Sequence, residues 1–199
     1  MTYVLGLTGS IGMGKTTTAG FFREAGVPVW DADAAVHELY AKGGAGVRAI
    51  EALTPAAIKD GAVDRQLLRA EILRDPELLE KVERTIHPLV RDNREAFFAR
   101  YAEAPILVCD IPLLFETKAD ADMSAVLVVT ADADIAKARV LERPGMTVEA
   151  YEAILAKQMP DAEKRSRADY IIDTGKGLDP ARAAVHDVLE RIREKICVR

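Results

Sequence analysis

The chain has 199 residues, with 27 Lys and Arg against 32 Asp and Glu, so its formal net charge is −5. This length predicts one domain with room for an inserted piece, and 49% hydrophobic residues are typical of a globular protein and exclude a disordered one. There is no apolar run of about 18 residues that predicts a membrane span, and the first ten residues lack the features of a secretory signal. Two cysteines, Cys109 and Cys197, are too few for a disulfide framework or a zinc site. We therefore expect a cytoplasmic protein with reduced thiols that binds no membrane and, given its acidic balance, no nucleic acid.

Five short apolar segments predict β-strands, and helical patterns lie between them. The longer segments are apolar throughout, as expected for strands that are buried on both faces. This alternation predicts an α/β fold with a mostly parallel sheet. The segments are 3–8, 27–30, 106–111, 125–130 and 170–173.

Two stretches leave this sheet. Residues 34–104 are dense in helix formers and predict a helical subdomain, in which Asp75-Pro76 is a good helix start. One face of the helix that follows should carry Leu78, Leu79, Val82 and Ile86. Residues 134–168 form the second stretch, so the core should comprise residues 1–33, 105–133 and 169–199. It should close with an amphipathic helix over 180–196 that buries Val185, Leu189, Ile192 and Ile196.

A phosphate-binding loop follows the first strand. Residues 9–16, GSIGMGKT, fit the pattern G-x-x-x-x-G-K-[ST] without a gap. Glycines let successive backbone N–H groups point at phosphate oxygens, and the helix expected at 17–25 adds its positive end. In this pattern Lys15 reaches the β- and γ-phosphates and the Thr16 hydroxyl binds Mg²⁺. The loop predicts binding of a nucleoside triphosphate, with Mg²⁺ brought by the nucleotide.

Carboxylates follow two of the predicted strands, at the sheet edge where ligands of open parallel sheets bind. Asp33 suits two roles equally on local sequence, a base that accepts the proton of an attacking hydroxyl or the N-cap of the next helix. For Asp31 the cap is favoured. For Asp110 a turn-forming or Mg²⁺-supporting role is favoured over catalysis.

Basic residues are characteristic of the second stretch, 134–168. Arg139 and Arg143 are four apart and should share a helix face. Such a cluster is either a solvated surface or a lid that closes over the transferred phosphoryl group, and the phosphate loop favours the lid. Elsewhere, Pro88 disfavours helix at His87, for which a structural contact is the favoured role. Trp30 should belong to the core.

The order of several motifs resembles the dephospho-CoA kinase family over residues 3–195. The motifs are GLTGSIGMGKT (6–16), VWDAD (29–33), IHP (86–88), DIPLLFE (110–116) and ADYIIDTG (168–175). The resemblance implies a P-loop kinase fold, in which a five-stranded parallel sheet with flanking helices carries an inserted substrate subdomain, 34–104, and a lid, 134–168. It further implies transfer of the γ-phosphoryl group of ATP to the ribose 3′-hydroxyl of dephospho-CoA, which gives coenzyme A.

Site residues follow from the resemblance by position. It implies that Asp33 is the general base and that Lys15, Arg139 and Arg143 assist catalysis. The loop residues that hold the ATP phosphates are Gly12, Met13, Gly14, Lys15, Thr16 and Thr17. The residues that shape the dephospho-CoA side are Arg65, His87, Leu113 and Glu116, together with Asp33.

Three positions depart from the pattern of this family. Ser10 and Met13 stand where a Gly and a Ser are usual, in a loop whose backbone does the binding, so ATP binding should survive. Thr174 stands where an Asn is usual on the adenine side, which leaves the role of this position open.

Two other functions compete at this point. One is a nucleoside or nucleoside-monophosphate kinase of the same architecture, which a panel of acceptors would separate. The other is a GTPase switch, which is disfavoured because the sequence has no N-K-x-D motif and no D-x-x-G after a later strand. We expect a monomer or a weak homo-oligomer.

Overall fold

The structure is a computed structural model that describes residues 2–198. In chain order its elements are β1 (Tyr3–Thr8), α1 (Lys15–Glu24), β2 (Val29–Asp31), α2 (Ala32–Tyr40), α3 (Ala45–Leu53), β3 (Ile58–Lys59), β4 (Ala62–Val63), α4 (Arg65–Arg74), α5 (Glu77–Arg100), β5 (Ile106–Asp110), β6 (Ala125–Thr130), α6 (Ala133–Leu141), α7 (Val148–Leu155), α8 (Asp161–Ser166), β7 (Tyr170–Asp173) and α9 (Leu178–Cys197), with short 3₁₀ turns at Pro55–Ala57 and Ala119–Asp122.

The chain divides into two compact units. One contains the residues up to Trp30 and those from Tyr101 onward, and the other is Asp31–Arg100. The first unit, the core unit below, includes all of residues 134–168. The second unit, the helical unit, overlaps the stretch 34–104 that the sequence assigns to a substrate subdomain.

A five-stranded parallel sheet, in the order β2-β5-β1-β6-β7, forms the centre of the fold. β1 pairs in parallel with β5 and β6, and β6 pairs in parallel with β7. Leu5, Leu7 and Leu127 are completely buried, as the apolar runs require. The predicted α/β fold class is therefore confirmed.

Helices α1 and α9 pack against each other and complete this hydrophobic core. Val185, Leu189 and Ile192 of α9 are buried and Ile196 is partly buried, which confirms the predicted face. Trp30 is buried, as expected.

The helical unit has its own hydrophobic core, and the long helix α5 supplies one face of it. Asp75 accepts a hydrogen bond from the Glu77 amide at 3.1 Å at the start of this helix. Leu78, Val82 and Ile86 are buried, but Leu79 is 45% exposed, so its assignment to this face is wrong. The face follows the i, i+4, i+8 spacing of a helix and leaves the adjacent position outside.

One further expectation for this unit is wrong. α5 continues through Pro88, so the proline does not end the helix at His87. Leu89 and Val90 pack against the core of this unit beyond the proline, and their burial opposes the local cost of Pro88. Besides its helices, the unit contains an antiparallel hairpin formed by β3 and β4. Its turn residues, Asp60 and Gly61, both have positive φ. The dipeptide Asp-Gly is the sequence signal that predicts such a hairpin.

Among residues 2–198 no helix is both long enough and apolar enough to cross a bilayer. Within these residues neither the buried Cys109 nor the exposed Cys197 forms a disulfide.

Candidate active site

The phosphate loop connects β1 to α1, and its shape depends on two glycines. Gly12 and Gly14 have φ of 83° and 84°, in the left-handed region that side chains disfavour. A Cβ on Gly12 would also lie 2.4 Å from the Ala136 carbonyl oxygen. The loop is thus closely packed on α6, and neither glycine position accepts a larger residue without strain.

Helix α1 begins at Lys15, two residues earlier than the expected 17–25. The amide groups of Lys15, Thr16 and Thr17 occupy its first turn, where no intrahelical acceptor exists. The side chains of Thr16 and Thr17 are exposed. Together with the positive end of the helix, these amides form a site suited to a phosphate group.

Lys15 and Asp110 form an ion pair beside this loop. The Lys15 ammonium lies 2.5 Å from Oδ1 of Asp110, whose side chain is 2% exposed at the carboxyl end of β5. The sequence placed Asp110 at a strand end but did not predict this pair. Asp110 and the Thr16 hydroxyl are hard oxygen donors of the kind that Mg²⁺ prefers, and Mg²⁺ bound with substrate phosphates needs only one or two protein ligands. The two oxygen donors therefore fit a metal that arrives with the nucleotide.

Arg139 of α6 reaches the phosphate loop through Thr174, the residue after β7. Its Nη1 donates to Thr174 Oγ1 at 3.0 Å and, at 3.4 Å, to the Gly12 carbonyl, while Nη2 donates to the Thr174 carbonyl at 2.8 Å. Thr174 Oγ1 in turn donates to the Met13 carbonyl at 2.9 Å. Met13 is buried, and its sulfur accepts a hydrogen bond from the Ala131 amide. Thr174, whose role the sequence left open, therefore lies directly against the loop.

Arg143 is placed differently from Arg139. α6 ends at Leu141, and the Arg143 amide donates to the Val140 carbonyl in the turn that follows. Because the helix stops before it, Arg143 does not share a helix face with Arg139, and that expectation is wrong. Its side chain is exposed.

Leu113 and Glu116 lie in the segment after β5. Leu113 is exposed, whereas Glu116 Oε1 accepts from the Met159 amide at 2.7 Å and pairs with Lys164 at 2.8 Å. Burial acts to raise the pKa of Glu116, but the hydrogen bonds from Lys164 and Met159 outweigh it, so that this pKa lies below its ordinary value. Lys164 is completely buried. Glu116 thus ties the segment after β5 to α8.

Gln158 is a further residue that the sequence did not single out. It lies between α7 and α8, and its Oε1 accepts a hydrogen bond from the Ile11 amide of the phosphate loop at 2.9 Å. This contact joins residues 147 positions apart. The sequence carries no local signal for it, or for the contacts of Thr174 and Lys164.

The remaining candidates belong to the helical unit. Asp31 is the N-cap of α2, since its Oδ1 accepts from the Ala34 amide at 3.0 Å, and the favoured role of this residue is confirmed. Asp33 lies in the first turn of α2 with an exposed side chain, and the cap is not its role.

Arg65 begins α4, and its guanidinium lies 5.9 Å from the centre of the Tyr40 ring. Burial raises the pKa of Tyr40, which Arg65 partly offsets. His87 is exposed on α5.

Comparisons with known proteins agree with this geometry. The family model described as dephospho-CoA kinase matches residues 3–179. A dephospho-CoA kinase from Cereibacter sphaeroides is 57% identical over 96% of this chain and 95% of its own length. Another from Jannaschia sp. is 52% identical over 98% of this chain and 99% of its own. Among solved structures, one from Thermus thermophilus is 33% identical over 96% of this chain and 97% of that chain, with a TM-score of 0.80.

Proposed function

The chain belongs to the dephospho-CoA kinase family and phosphorylates dephospho-CoA in the final step of coenzyme A biosynthesis, and from this premise we propose how its residues carry out the transfer. The observation that carries the proposal is the phosphate loop, with Lys15 at its end and an exposed carboxylate, Asp33, two residues after β2. The acceptor is the ribose 3′-hydroxyl and the donor is ATP.

The proposed reaction is a single in-line transfer. The 3′-oxygen attacks the γ-phosphorus of ATP, a new O–P bond forms, and the bond from this phosphorus to the β,γ-bridging oxygen breaks with its electron pair leaving on ADP. Asp33 accepts the proton of the hydroxyl as a general base. Arg139, Arg143 and Lys15 stabilise the negative charge that develops on the phosphate oxygens.

The loop residues Gly12 to Thr17 hold the phosphates through backbone amides. Bound Mg²⁺ supplies charge neutralisation at the phosphates, and Thr16 and Asp110 are the residues that would hold it. The buried position of Asp110 supports this role, because an ionised carboxylate out of water needs a cationic partner. Lys15 already provides one such partner.

The dephospho-CoA side is assigned to Asp33, Arg65, His87, Leu113 and Glu116. The exposed side chains of Arg65, His87 and Leu113 support direct contacts with the substrate. Glu116 contributes by fixing its own segment, since its Oε1 is used by Met159 and Lys164. We assign the helical unit to dephospho-CoA binding and a lid to the stretch 134–168. The protein should act as a monomer or weak homo-oligomer in the cytoplasm, where ATP is supplied.

The role of Asp33 is tested by replacing its carboxylate with an amide. Asp33→Asn should lower kcat for coenzyme A formation from Mg-ATP and dephospho-CoA by about 10²–10⁴-fold, the usual contribution of a general base. The matched control is Asp31→Asn, two residues away, because Asn is as good an N-cap as Asp. Because the two caps are about equal in energy, the control should keep kcat within about threefold of the wild-type value. An Asp33→Asn enzyme with wild-type kcat would refute the assignment.

A further inference from the structure

Arg139 differs from five other cations of the core unit in the charge of its partners. Lys15, Lys164, Arg165, Arg167 and Arg182 each form an ion pair with a carboxylate. The partners of Arg139 are the hydroxyl and carbonyl of Thr174 and the carbonyl of Gly12, all of them neutral. Within residues 2–198 no ion pair to Arg139 is present.

Neutral partners orient a guanidinium without cancelling its charge. The group has five N–H donors in a rigid plane. Thr174 accepts one hydrogen bond from each terminal nitrogen, which fixes the plane of the group. The full positive charge and the other donors are left for an anion. A carboxylate at position 174 would fix the plane equally well, but it would also neutralise the charge.

Thr174 is itself held firmly in place. It is 6% exposed, and its amide donates to the Thr130 carbonyl at 2.8 Å, beside the last pair of the β6–β7 ladder. A Cβ on Gly14 would lie 2.9 Å from Thr174 Oγ1, so the side chain packs on the loop glycine. Its hydroxyl accepts from Arg139 and donates to the Met13 carbonyl, and it thus bridges the cation and the loop.

We propose that Thr174 is a positioning residue for phosphoryl transfer, which holds Arg139 against the phosphate loop as an oriented, un-neutralised cation for the phosphates of the nucleotide. The inference rests on the proposed function, because those phosphates are the ones that the loop binds. Thr174 acts through Arg139, because its amide, carbonyl and hydroxyl groups all form hydrogen bonds within the chain.

The test compares two substitutions at this position. Thr174→Val keeps the size of the side chain and removes the hydroxyl, and it should lower kcat/KM for ATP about tenfold, as expected for one hydrogen bond to a charged group. KM for dephospho-CoA should stay within about twofold of the wild-type value, because the lost hydrogen bond serves the phosphates of the nucleotide. Thr174→Ser restores the hydroxyl and should recover most of the loss. Unchanged kcat/KM for ATP in Thr174→Val, or an equal loss in Thr174→Ser, would overturn the proposal.

A matched control and a double-mutant cycle separate this role from a structural one. Thr18 is also buried, and its hydroxyl donates to the Gly14 carbonyl, whereas the guanidinium of Arg139 donates to Thr174 and Gly12. Thr18→Val should therefore leave kcat/KM for ATP nearly unchanged. In an Arg139→Ala background Thr174→Val should cost less than about twofold, because coupled residues are not additive. A full tenfold loss in that background, or an equal loss in Thr18→Val, would overturn the proposal.

Calorimetric binding of ATP gives a readout that needs no acceptor. Thr174→Val should weaken the Kd for ATP by about tenfold relative to wild type, again the value of one charged hydrogen bond. An inactive wild-type enzyme that shows this difference would contradict the proposed function and support the role of Thr174. An active wild-type enzyme without the difference in kcat/KM or Kd would contradict only the role of Thr174.

Discussion

The two ends of the stretch 134–168 are held much more firmly than its middle. At one end α6 is tied to Thr174 and Gly12 through Arg139. At the other end, residues 158–167 bond to Ile11, Glu116, Asp120 and Thr130. In the described chain, the middle, residues 142–157, forms one ion pair with another element, that of Glu152 with Lys137 at 3.7 Å, and buries one large side chain, Tyr151. A lid movement, which needs contacts that break easily, should therefore be confined to 142–157.

The difference between these regions is one of burial as well as number. Lys164 anchors the second end with an ammonium group that has no exposed surface, against Glu116 at 18% side-chain exposure. Lys137 and Glu152 have side-chain exposures of 40% and 64%. Removing one partner of a buried pair leaves the other charge buried without a counter-ion. When one partner of an exposed pair is removed, water solvates the remaining charge at little cost.

The largest effect should come from breaking the buried anchor. Lys164→Met keeps a long flexible side chain but leaves Glu116 without its cation, and it should lower the free energy of unfolding by about 3–5 kcal/mol. Urea denaturation measures the change. Lys157→Met is the matched control, because Lys157 is exposed in the middle segment, and its effect should stay within about 0.5 kcal/mol. Equal effects of the two substitutions would contradict the distinction between anchored end and loose middle.

A smaller, pH-dependent effect should follow from Glu116→Gln. The amide still accepts the hydrogen bonds of Lys164 and Met159, but it lacks the charge, and the loss of unfolding free energy at pH 7 should be about 1.5–3 kcal/mol. The folded-state pKa of Glu116 is lowered from 4.5, so the carboxylate stabilises the fold fully above that pH. This stability is lost as the pH falls through the folded-state value.

The difference in unfolding free energy between wild type and Glu116→Gln should accordingly be constant from pH 7 to about pH 5 and shrink below pH 4.5. Urea titrations at pH 7, 5, 4 and 3 measure it. A difference that grows toward acid pH would mean that the pKa of Glu116 is raised in the folded protein.

The strands of the core unit are predictable from sequence because each is a continuous apolar segment. The segments 3–8, 125–130 and 170–173 match β1, β6 and β7 at both ends, and β5 ends one residue earlier than expected. β2 begins at Val29, two residues after the predicted start, because the segment opens with Val27-Pro28. Proline cannot donate a hydrogen bond to a sheet.

The contacts that hold the site are not predictable in the same way. Glu116 and Lys164, or Arg139 and Thr174, are far apart in the chain, and a local pattern cannot show which distant residue faces which. The loop itself was predictable because its glycines, Lys15 and Thr16 are adjacent in sequence. The position of Arg143 also has a local signal, because Pro144 disfavours helix at the residue before it, but the expectation of a shared helix face did not use that signal.

The smallest effect should come from the middle segment. Glu152→Gln removes the charge from the Lys137 pair and should change the free energy of unfolding by less than about 1 kcal/mol, since both side chains are largely in water. Amide hydrogen exchange should nevertheless speed up within 142–157 and stay unchanged in α6 and α8, because those helices keep their own partners. Mass spectrometry of peptides from the three regions measures this. Equal acceleration in all three would show that the stretch opens as one body, with no separation between its ends and its middle.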